Sequence, residues 1–379
     1  MLARIREAAP LTVAAFMELA LYDPEEGYYA RAEQRSGRAG DFFTSVDVGP
    51  LFGELLAELV VRAWRAVDAP TGPGAFVLCE AGAGNGRLAR DVLDALARRA
   101  PGTYPHVSLA LVERSASARA AQSDVLAAHR ERVWWSDAAL PGSFDGLVLA
   151  NELLDAMPVH RVQMTRAGLR ELYVTVEGES LALRPGPLST PRLAEYFDLI
   201  GIELAPGAVA DVGLAALDWL AAAARAVRRG CLAIIDYGRE AGLLYASPGA
   251  TGTLRGYRRH AVTATDQGPT GWLAAPGTQD LTVHVDFTAL RAVARREGLD
   301  IVADLDQSRF LIGLGLGDLL AGAVGTSVAD VKRRLAAQAL VGPEGLGGSH
   351  RVLVLARGAA DLGLQAMGPG QAPGRAPDV

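Results

Sequence analysis

The segment at residues 75–99, AFVLCEAGAGNGRLARDVLDALARR, decides the fold. It begins with an apolar run typical of a strand buried on both faces, passes through the glycine-rich turn GAGNG, and ends in an amphipathic helix. Turn glycines permit a left-handed backbone and the close approach of a ligand, and a helix N-terminus offers unpaired N–H donors. The segment therefore predicts a strand–turn–helix unit with a ligand at the turn.

Apolar strands and amphipathic helices alternate along much of the chain. VSLALVE (107–113) and FDGLVLA (144–150) have the pattern of buried strands, as do CLAIIDYG (231–238) and HRVLVLAR (350–357). Such alternation is typical of βαβ units and a parallel sheet. The sequence predicts an α/β fold.

Further segments are expected to surround this sheet. HRVQMTR (160–166) and RELYVTVEG (170–178) have the pattern of an antiparallel hairpin, and residues 239–280 are rich in Gly, Thr and Pro. The predicted units are an N-terminal helical or lid segment (1–70), a core (71–160, 205–240 and 280–358), two insertions that form a substrate cap (161–204 and 241–279), and a disordered tail (359–379).

The composition favours a globular protein and argues against two classes of partner. Half of the 379 residues are hydrophobic, and the net charge of -6 makes nucleic acid a poor candidate partner. No stretch has the roughly 18 apolar residues of a membrane span, and the N-terminus has no uninterrupted apolar run like that of a signal peptide. We therefore expect a cytoplasmic protein without membrane or nucleic-acid partners, whose Cys79 and Cys231 are packed as small hydrophobes.

The turn GAGNG differs from phosphate-binding glycine motifs. An arginine stands where the dinucleotide fingerprint GxGxxG has its third glycine, and no GxxxxGK[ST] loop is present. The form ExGxGxG is usual in S-adenosylmethionine sites, where a carboxylate favours the cationic donor; its residues here are Glu80, Gly82, Gly84 and Gly86. Glu113, ending the next strand, is predicted to accept hydrogen bonds from both ribose hydroxyls. The alternative is ordinary turn glycines and surface carboxylates.

Eight segments carry a pattern that spans nearly the whole chain. They are YDPEEGYYA (22–30), GDFFTSVDVGPLFGELL (40–56), CEAGAGNGRLARDVL (79–93), LVERSASARAAQ (111–122), ANELLDAMPVHR (150–161), IIDYG (234–238), GTLRGYRRH (252–260) and DLTVHVDFTAL (280–290). In this order they resemble the MidA family, which includes a mitochondrial protein arginine methyltransferase.

The resemblance implies a Rossmann-like methyltransferase core with a mostly parallel seven-stranded sheet and helices on both faces. It also implies S-adenosylmethionine as methyl donor and an insertion after the fourth core strand that helps cover the active site. Two departures stand out: TSVD replaces the family's TSPE at 44–47, and Ala83 replaces the proline of GPGxG. They put the detail of the 44–47 loop in doubt and leave the chemistry unchanged.

The motif ANELLDAMPVHR is interpreted as the acceptor site, because the end of the fourth strand falls beside the donor's methyl group in this fold. We predict that Glu152 and Asp155 bind a cationic nitrogen such as an arginine guanidinium, which pairs with carboxylates. Asn151 is predicted to orient the acceptor and His160 to accept or relay a proton. The alternatives are a helix cap for Asn151, a helix-dipole contact for Glu152 and a hydrogen-bonded hairpin residue for His160.

Weaker predictions concern the donor side. The loop 40–45 is expected to close as a lid, with Thr44 and Ser45 contacting the donor, or else to be a structural turn capped by Asp41. Asp137 is predicted to contact adenine; the neighbouring Trp134 and Trp135 are equally well explained as core residues.

On the acceptor side, Tyr237 is predicted to line the pocket. His284 and Asp286 form either an orienting pair or, for Asp286, the cap of the next helix, and this HxD alone is too little for a metal site. Arg255 and Tyr257 belong to a basic cluster that either grips a carboxylate or an acidic partner surface or is a solvated loop; its other members are Arg258 and His260.

Three functions fit these patterns. The first is a methyltransferase that N-methylates arginine in a protein partner. The second keeps the reaction and changes the acceptor to a small molecule or peptide. The third is a non-catalytic assembly factor that binds S-adenosylmethionine for stability.

Overall fold

A central sheet with helices on both faces organises the computed structural model, as the sequence predicts. The structure describes residues 1–30, 44–247, 249–258, 261–262, 268–323, 325–359 and 361–364. Gly40, Asp41 and Phe42 of the predicted lid lie outside this part of the chain, as does His260 of the basic cluster.

The described α-helices are α1 (Leu2–Ala8), α2 (Val13–Tyr22), α3 (Leu51–Ala66), α4 (Arg87–Arg99), α5 (Ala116–Val125), α6 (Arg192–Ile200), α7 (Leu214–Ala226), α8 (Ala241–Tyr245), α9 (Phe287–Arg296), α10 (Gln307–Gly313), α11 (Leu316–Ala321), α12 (Val328–Val341) and α13 (Leu346–Ser349). The strands are β1 (Leu11–Thr12), β2 (Phe76–Ala81), β3 (Val107–Val112), β4 (Val133–Asp137), β5 (Phe144–Asn151), β6 (His160–Thr165), β7 (Gly168–Glu177), β8 (Ser180–Gly186), β9 (Val209–Val212), β10 (Val227–Arg239), β11 (Arg255–Arg258), β12 (Ala261–Val262), β13 (Asp280–Thr282), β14 (Val285–Asp286), β15 (Asp300–Asp306) and β16 (His350–Arg357). Among these described elements, no helix combines the length and the apolar character needed to cross a membrane.

The central sheet has the order β15-β16-β10-β5-β2-β3-β4. Strand β16 is antiparallel to both of its neighbours, and the other adjacent pairs are parallel. The short β14 lies off this path and pairs in parallel with the last two residues of β10, Gly238 and Arg239. The mostly parallel seven-stranded sheet is therefore confirmed.

Strand β2 shows why these segments form a buried sheet. Phe76 and Leu78 pack into a core that also contains α3, α4 and α10–α12, while Val77 and Cys79 pack into a second core with α6, α7 and α9. Alternate side chains of a strand point to opposite faces, so an uninterrupted apolar run satisfies both cores. The strand ends at the carboxyl edge of the sheet, so Glu80, the polar residue near its end, lies at that edge.

A second, antiparallel sheet follows β5, with the order β1-β7-β6-β9 and β8 paired to β7. Strands β6 and β7 form the predicted hairpin. Two boundaries differ from the prediction: residues 209–212 pair with β6 in this sheet and not in the core, and β1 brings the N-terminal segment to β7. The N-terminal segment and β7 share a third core, which includes Phe16, Val174 and Trp272, whereas Ala210 and Val212 of β9 pack with Val162 of β6 in the second core.

Two other segments also depart from the predicted division. The loop expected to be irregular contains β11, which pairs with β13 from the predicted core. In the predicted tail, Leu362 and Leu364 are buried against the first core, which contradicts disorder at residues 361–364, and residues 365–379 lie outside the described part of the chain. Burial of two leucines outweighs the local Gly and Ala content there.

Candidate active site

The glycine turn after β2 has the backbone that its sequence requires. Gly82, Gly84 and Gly86 all have positive φ, of 74°, 51° and 84°. A Cβ at Gly82 would lie 3.1 Å from Leu153 Cδ1, whereas a Cβ at Gly84 would meet no atom within 4 Å. The turn therefore packs against the motif after β5 on one side and opens into a cavity on the other.

Glu113 joins this turn to the next loop. Its Oε2 accepts the Gly84 N–H at 2.9 Å, and its Oε1 accepts the Ser115 N–H at 2.7 Å. Gln122 donates from Nε2 to the Gly84 carbonyl at 2.8 Å, which holds the turn from the helix side. The predicted ribose-binding carboxylate thus stands at the cavity wall with both oxygens oriented by backbone donors.

Glu80 is the buried carboxyl of the donor side. It is 5% exposed and lines the cavity, and its Oε2 has no hydrogen-bond partner among the described residues. Burial raises the pKa of Glu80 to about 8. An orphaned buried acceptor is costly, so the geometry favours a ligand that brings a donor or a positive charge to this oxygen.

The motif after β5 places Asn151 and Glu152 at the cavity. Glu152 has a φ of +49°, a left-handed conformation that is rare for a residue with a side chain and is enriched at functional sites. Its Oε1 accepts the Ser45 N–H at 3.2 Å and the Asn151 Nδ2–H at 3.3 Å. Its Oε2 has no hydrogen-bond partner among the described residues, and neither has the buried Oδ1 of Asn151.

Asp236, in β10, fixes the turn that follows Glu152. Its Oδ2 accepts backbone N–H groups at 2.8–3.3 Å from three consecutive residues: Leu153, Leu154 and Asp155. The side chain is fully buried, and burial raises the pKa of Asp236 to about 7. A carboxylate of one strand therefore determines the shape of the loop after its neighbour.

Asp155 lies deeper in the same wall of the cavity. Burial first, and then the carboxylates of Asp236 and Asp280, raise the pKa of Asp155 well above its usual range. Asp280 receives a hydrogen bond from the Tyr29 hydroxyl at 3.0 Å, and Tyr29 stacks on Tyr22 with centroids 5.4 Å apart. This wall of the cavity thus has a group of carboxyls bordered by two tyrosines.

These residues surround one cavity of about 1170 Å³. Small-molecule sites usually measure about 300–1,000 Å³, so there is room for a donor and part of an acceptor together. The N-terminal segment supplies one wall through Glu18, Tyr22 and Tyr29, and another wall consists of Tyr257, Asp280, Thr282, Val283 and His284.

Most of the residues predicted from the sequence line this cavity. Those predicted to bind the donor are Glu80, Gly82, Gly84, Glu113 and Thr44, and those predicted to act on the acceptor are Asn151, Glu152, Asp155, Tyr237, Tyr257 and His284. Gly86 does not line the cavity; it begins α4 behind it, where a Cβ would meet Leu126. Thr44 is held by Asp47, which receives its N–H and its hydroxyl and also pairs with Arg87. The aspartate of TSVD therefore secures this loop.

Three further predicted site residues do not line the cavity. His160 is in β6 of the second sheet, where its Nδ1 bonds the fully buried Glu171 at 2.7 Å, so the hairpin alternative holds. Ser45 is fully buried and bonds Gln307 and Glu152, so it supports the acceptor side and does not touch the cavity. Arg255 donates to the carbonyls of Gly252 and Leu254 in its own loop and does not line the cavity; its contact with a carboxylate or an acidic partner surface stays a prediction.

Asp137 and Asp286 both act on backbone N–H groups. Asp137 accepts from Ala138 and Ala139, so its carboxylate is used in its own turn, and only Ala138 of this turn reaches the cavity. Asp286 is the N-cap of α9, accepting from Thr288 and Ala289, which is the cap predicted as one alternative.

Several residues of the site were missed by the sequence analysis. Asp236 lies within IIDYG, beside the predicted Tyr237, and Tyr22 and Tyr29 lie within YDPEEGYYA. His350 begins β16 opposite Tyr237 and lies 3.6 Å from Glu152. For Asp236 and His350 the signal was a polar residue inside or at the start of an apolar strand, which does not indicate what the side chain contacts.

Comparison with known proteins agrees with this geometry. Residues 55–303 match the family of S-adenosyl-L-methionine-dependent methyltransferases. The mitochondrial protein arginine methyltransferase NDUFAF7 of Rattus norvegicus is 30% identical over 346 residues, which are 83% of this chain and 72% of the relative. The human NDUFAF7 is 28% identical over 345 residues, with the same coverage. A crystal structure from Burkholderia thailandensis, bound to S-adenosyl-homocysteine, is 32% identical with a TM-score of 0.83, and covers 95% of this chain and 92% of that one.

The comparison also corrects one expectation. The curated relatives named here are mitochondrial proteins, which contradicts the expected cytoplasmic location. Composition and the lack of a secretory pattern do not distinguish the cytoplasm from other aqueous compartments, which is the reason for this difference.

The residues around the glycine turn fit S-adenosylmethionine. Glu80 offers an unpaired carboxyl oxygen, Gly84 leaves open space for the ligand, and Glu113 stands beside both. The family match covers 55–303, and the Burkholderia structure holds the demethylated form of the same donor. The chain is an S-adenosylmethionine-dependent methyltransferase and belongs to this family, the MidA family that its motifs resemble.

Proposed function

We propose that this enzyme transfers a methyl group to a guanidinium nitrogen of arginine in a protein. The relatives named as protein arginine methyltransferases support the choice of acceptor. The observation that carries the proposal is the Glu152 carboxylate, which lines the cavity from a left-handed backbone and keeps Oε2 without a partner among the described residues.

Glu152 and Asn151 together suit a guanidinium. This group has five N–H donors and no acceptor, and it binds carboxylates with two parallel hydrogen bonds. Glu152 Oε2 and the buried Asn151 Oδ1 are both acceptors without a partner among the described residues. A guanidinium would satisfy both, which removes the cost of leaving a polar atom buried and unpaired.

The charge of the acceptor side also favours a cation. Glu152, Asp155 and Asp280 all line the cavity, and a phenolate or carboxylate acceptor would be repelled by them. Because the pKa of Asp155 is raised, the entry of a cation would favour its ionised form. Tyr22 and Tyr29 border this region and offer flat surfaces to a planar group.

The residues of this chain mainly align the reactants and control charge, since methyl transfer is an in-line displacement. When bound, S-adenosylmethionine supplies a methyl group on a sulfonium. Glu80 and Glu113 hold the donor side, Asn151 and Glu152 orient the acceptor nitrogen, and Glu152 takes the proton which that nitrogen loses.

A labelling assay tests the acceptor. The purified enzyme is mixed with S-adenosylmethionine carrying a radiolabelled methyl group and with a lysate of cells that lack this gene. We expect label in protein, and mass spectrometry of the labelled species should find methylarginine. Label confined to the small-molecule fraction, or found on another residue type, would contradict the proposal. Donor binding without any transfer would favour a non-catalytic assembly factor.

A further inference from the structure

The imidazole of His350 is buried behind the acceptor site. It is 1% exposed and begins β16, where its ring lies 3.9 Å from the Tyr237 ring, centroid to centroid. Its Nε2 points to Glu152, with 3.6 Å between Nε2 and Oε1. Nothing in the reaction described above requires a histidine at this place, and a simple apolar residue would fill the space without a polar atom to satisfy.

The hydrogen bonds of Nδ1 determine which nitrogen carries the ring proton. Nδ1 is 3.0 Å from the Leu346 carbonyl oxygen, which can only accept. The Ser349 hydroxyl is also 3.0 Å from Nδ1 and lies within 3.1 Å of the Gly345 carbonyl, to which it donates. Nδ1 is therefore the protonated nitrogen, and in a neutral ring Nε2 is a bare acceptor.

Two bare acceptors would then face each other across the buried gap. Nε2 has no hydrogen-bond partner among the described residues, and its nearest charged group is the Glu152 carboxylate. Two hydrogen-bond acceptors that face each other in a buried place are unfavourable. One proton between Nε2 and the Glu152 carboxylate would instead form a charge-assisted hydrogen bond. The other titratable groups that face the ring are Asp236 and Tyr237, both from β10.

We propose that His350 is a positioning residue that holds the Glu152 carboxylate and takes over the proton Glu152 removes from the acceptor nitrogen. The new C–N bond forms as the S–C bond breaks, with the electron pair of that bond left on sulfur. The nitrogen sheds one proton to Glu152, and the proton passes to Nε2 of the neutral His350 ring, which becomes an imidazolium while Nδ1–H stays on the Leu346 carbonyl. This role rests on the proposed function of Glu152, and it applies to any acceptor nitrogen that loses a proton.

Nitrogen NMR of ¹⁵N-histidine-labelled enzyme tests the arrangement without an acceptor. The chain has 6 histidines, and His350→Gln identifies the signal that disappears. We expect Nδ1 to be protonated and the Nε2 signal to move strongly in Glu152→Gln, while the Nδ1 signal stays in place. A proton on Nε2 with a bare Nδ1, or an Nε2 signal unaffected by Glu152→Gln, would overturn the proposal.

Kinetics of His350→Gln test the proton transfer, with His129→Gln as the matched control. His129 is also buried and bonds Tyr104 and Asp94, away from the cavity. For His350→Gln we expect kcat to fall by about 100-fold, which is within the usual effect of acid–base groups. We expect KM for the acceptor identified by the labelling assay, and Kd for S-adenosylmethionine, to change by less than about 2-fold. An unchanged kcat, or equal losses of kcat in both variants, would overturn it. If the labelled acceptor is not arginine, the proposed function fails while both tests of His350 remain valid.

Discussion

Asp236 accepts the backbone N–H of Leu154 at 2.8 Å, so a carboxylate in β10 fixes the loop that follows β5. The same oxygen also receives the N–H groups on either side of Leu154. The two strands are parallel neighbours, with Ile235 opposite Asn151. This pairing brings a buried charge to the place where the chain leaves the sheet, and it determines where Glu152 and Asp155 stand.

Asp236→Ala should therefore damage both stability and turnover. The three N–H groups would lose a buried acceptor, and each such loss typically costs about 1–3 kcal/mol. We expect the free energy of unfolding to fall by at least about 2 kcal/mol and turnover to fall by more than about 10-fold. Urea unfolding and kinetics measure the two effects. Asp218→Ala is the control, because Asp218 is exposed and pairs with the exposed Arg192; a similar loss there would show that the effect is not specific.

Gly82→Ala tests the contact between the glycine turn and the acceptor motif. The substitution forces a side chain into a φ of +74° and places its Cβ 3.1 Å from Leu153. Left-handed backbone alone costs about 1–2 kcal/mol for such a residue. We expect Kd for S-adenosylmethionine to rise by about 10-fold or more by calorimetry. Gly102→Ala, with open space around it, should leave Kd unchanged; weakening of equal size in both variants would argue against the contact.

Glu80 should make the stability of the free enzyme depend on pH. Its usual pKa of 4.5 rises to about 8 on burial. Below the lower value the carboxyl is protonated whether the chain is folded or unfolded. Between the two values only the folded state keeps the proton, so the contribution of Glu80 becomes more unfavourable as the pH rises.

Glu80→Gln removes this penalty. We expect its Tm to equal that of the wild type near pH 4 and to exceed it near pH 9. S-adenosylmethionine should release protons when it binds the wild type near pH 7, and fewer when it binds the variant, as measured by calorimetry in buffers of different ionisation enthalpy. Identical Tm curves for the two proteins would show that Glu80 is not a buried acid.

The fold and the donor side were predictable because both depend on contiguous sequence. The strand, GAGNG and the helix lie within 75–99, and their apolar periodicity and glycines specify local structure directly. Glu113 was predictable because it ends the next strand of the same βαβ unit. The end of β5, which is parallel to β2, was predictable in the same way, and Asn151, Glu152 and Asp155 lie at or just after it.

The remaining residues of the site come together only through strand pairing. Asp236 and His350 are separated from Glu152 by more than 80 residues of sequence, and the register of β10 against β5 and β16 brings them into contact. His160 was misplaced because the sequence does not show that the chain after Pro158 turns into a second sheet, where Glu171 binds the imidazole. Alternation of polar and apolar residues indicates which face of the sheet each side chain points to, but it does not indicate which strand lies beside it.

The central claim is that Glu152 acts on the acceptor and not on the donor. The direct measurement compares Glu152→Gln with the wild type, with Kd for S-adenosylmethionine and kcat for the labelled acceptor determined separately. Glu58→Gln, a substitution at a partly exposed position of α3, serves as the control. We predict that Glu152→Gln keeps Kd within about 2-fold and lowers kcat by at least about 100-fold. An unchanged kcat, or a loss of donor affinity that accounts for the whole defect, would contradict the claim.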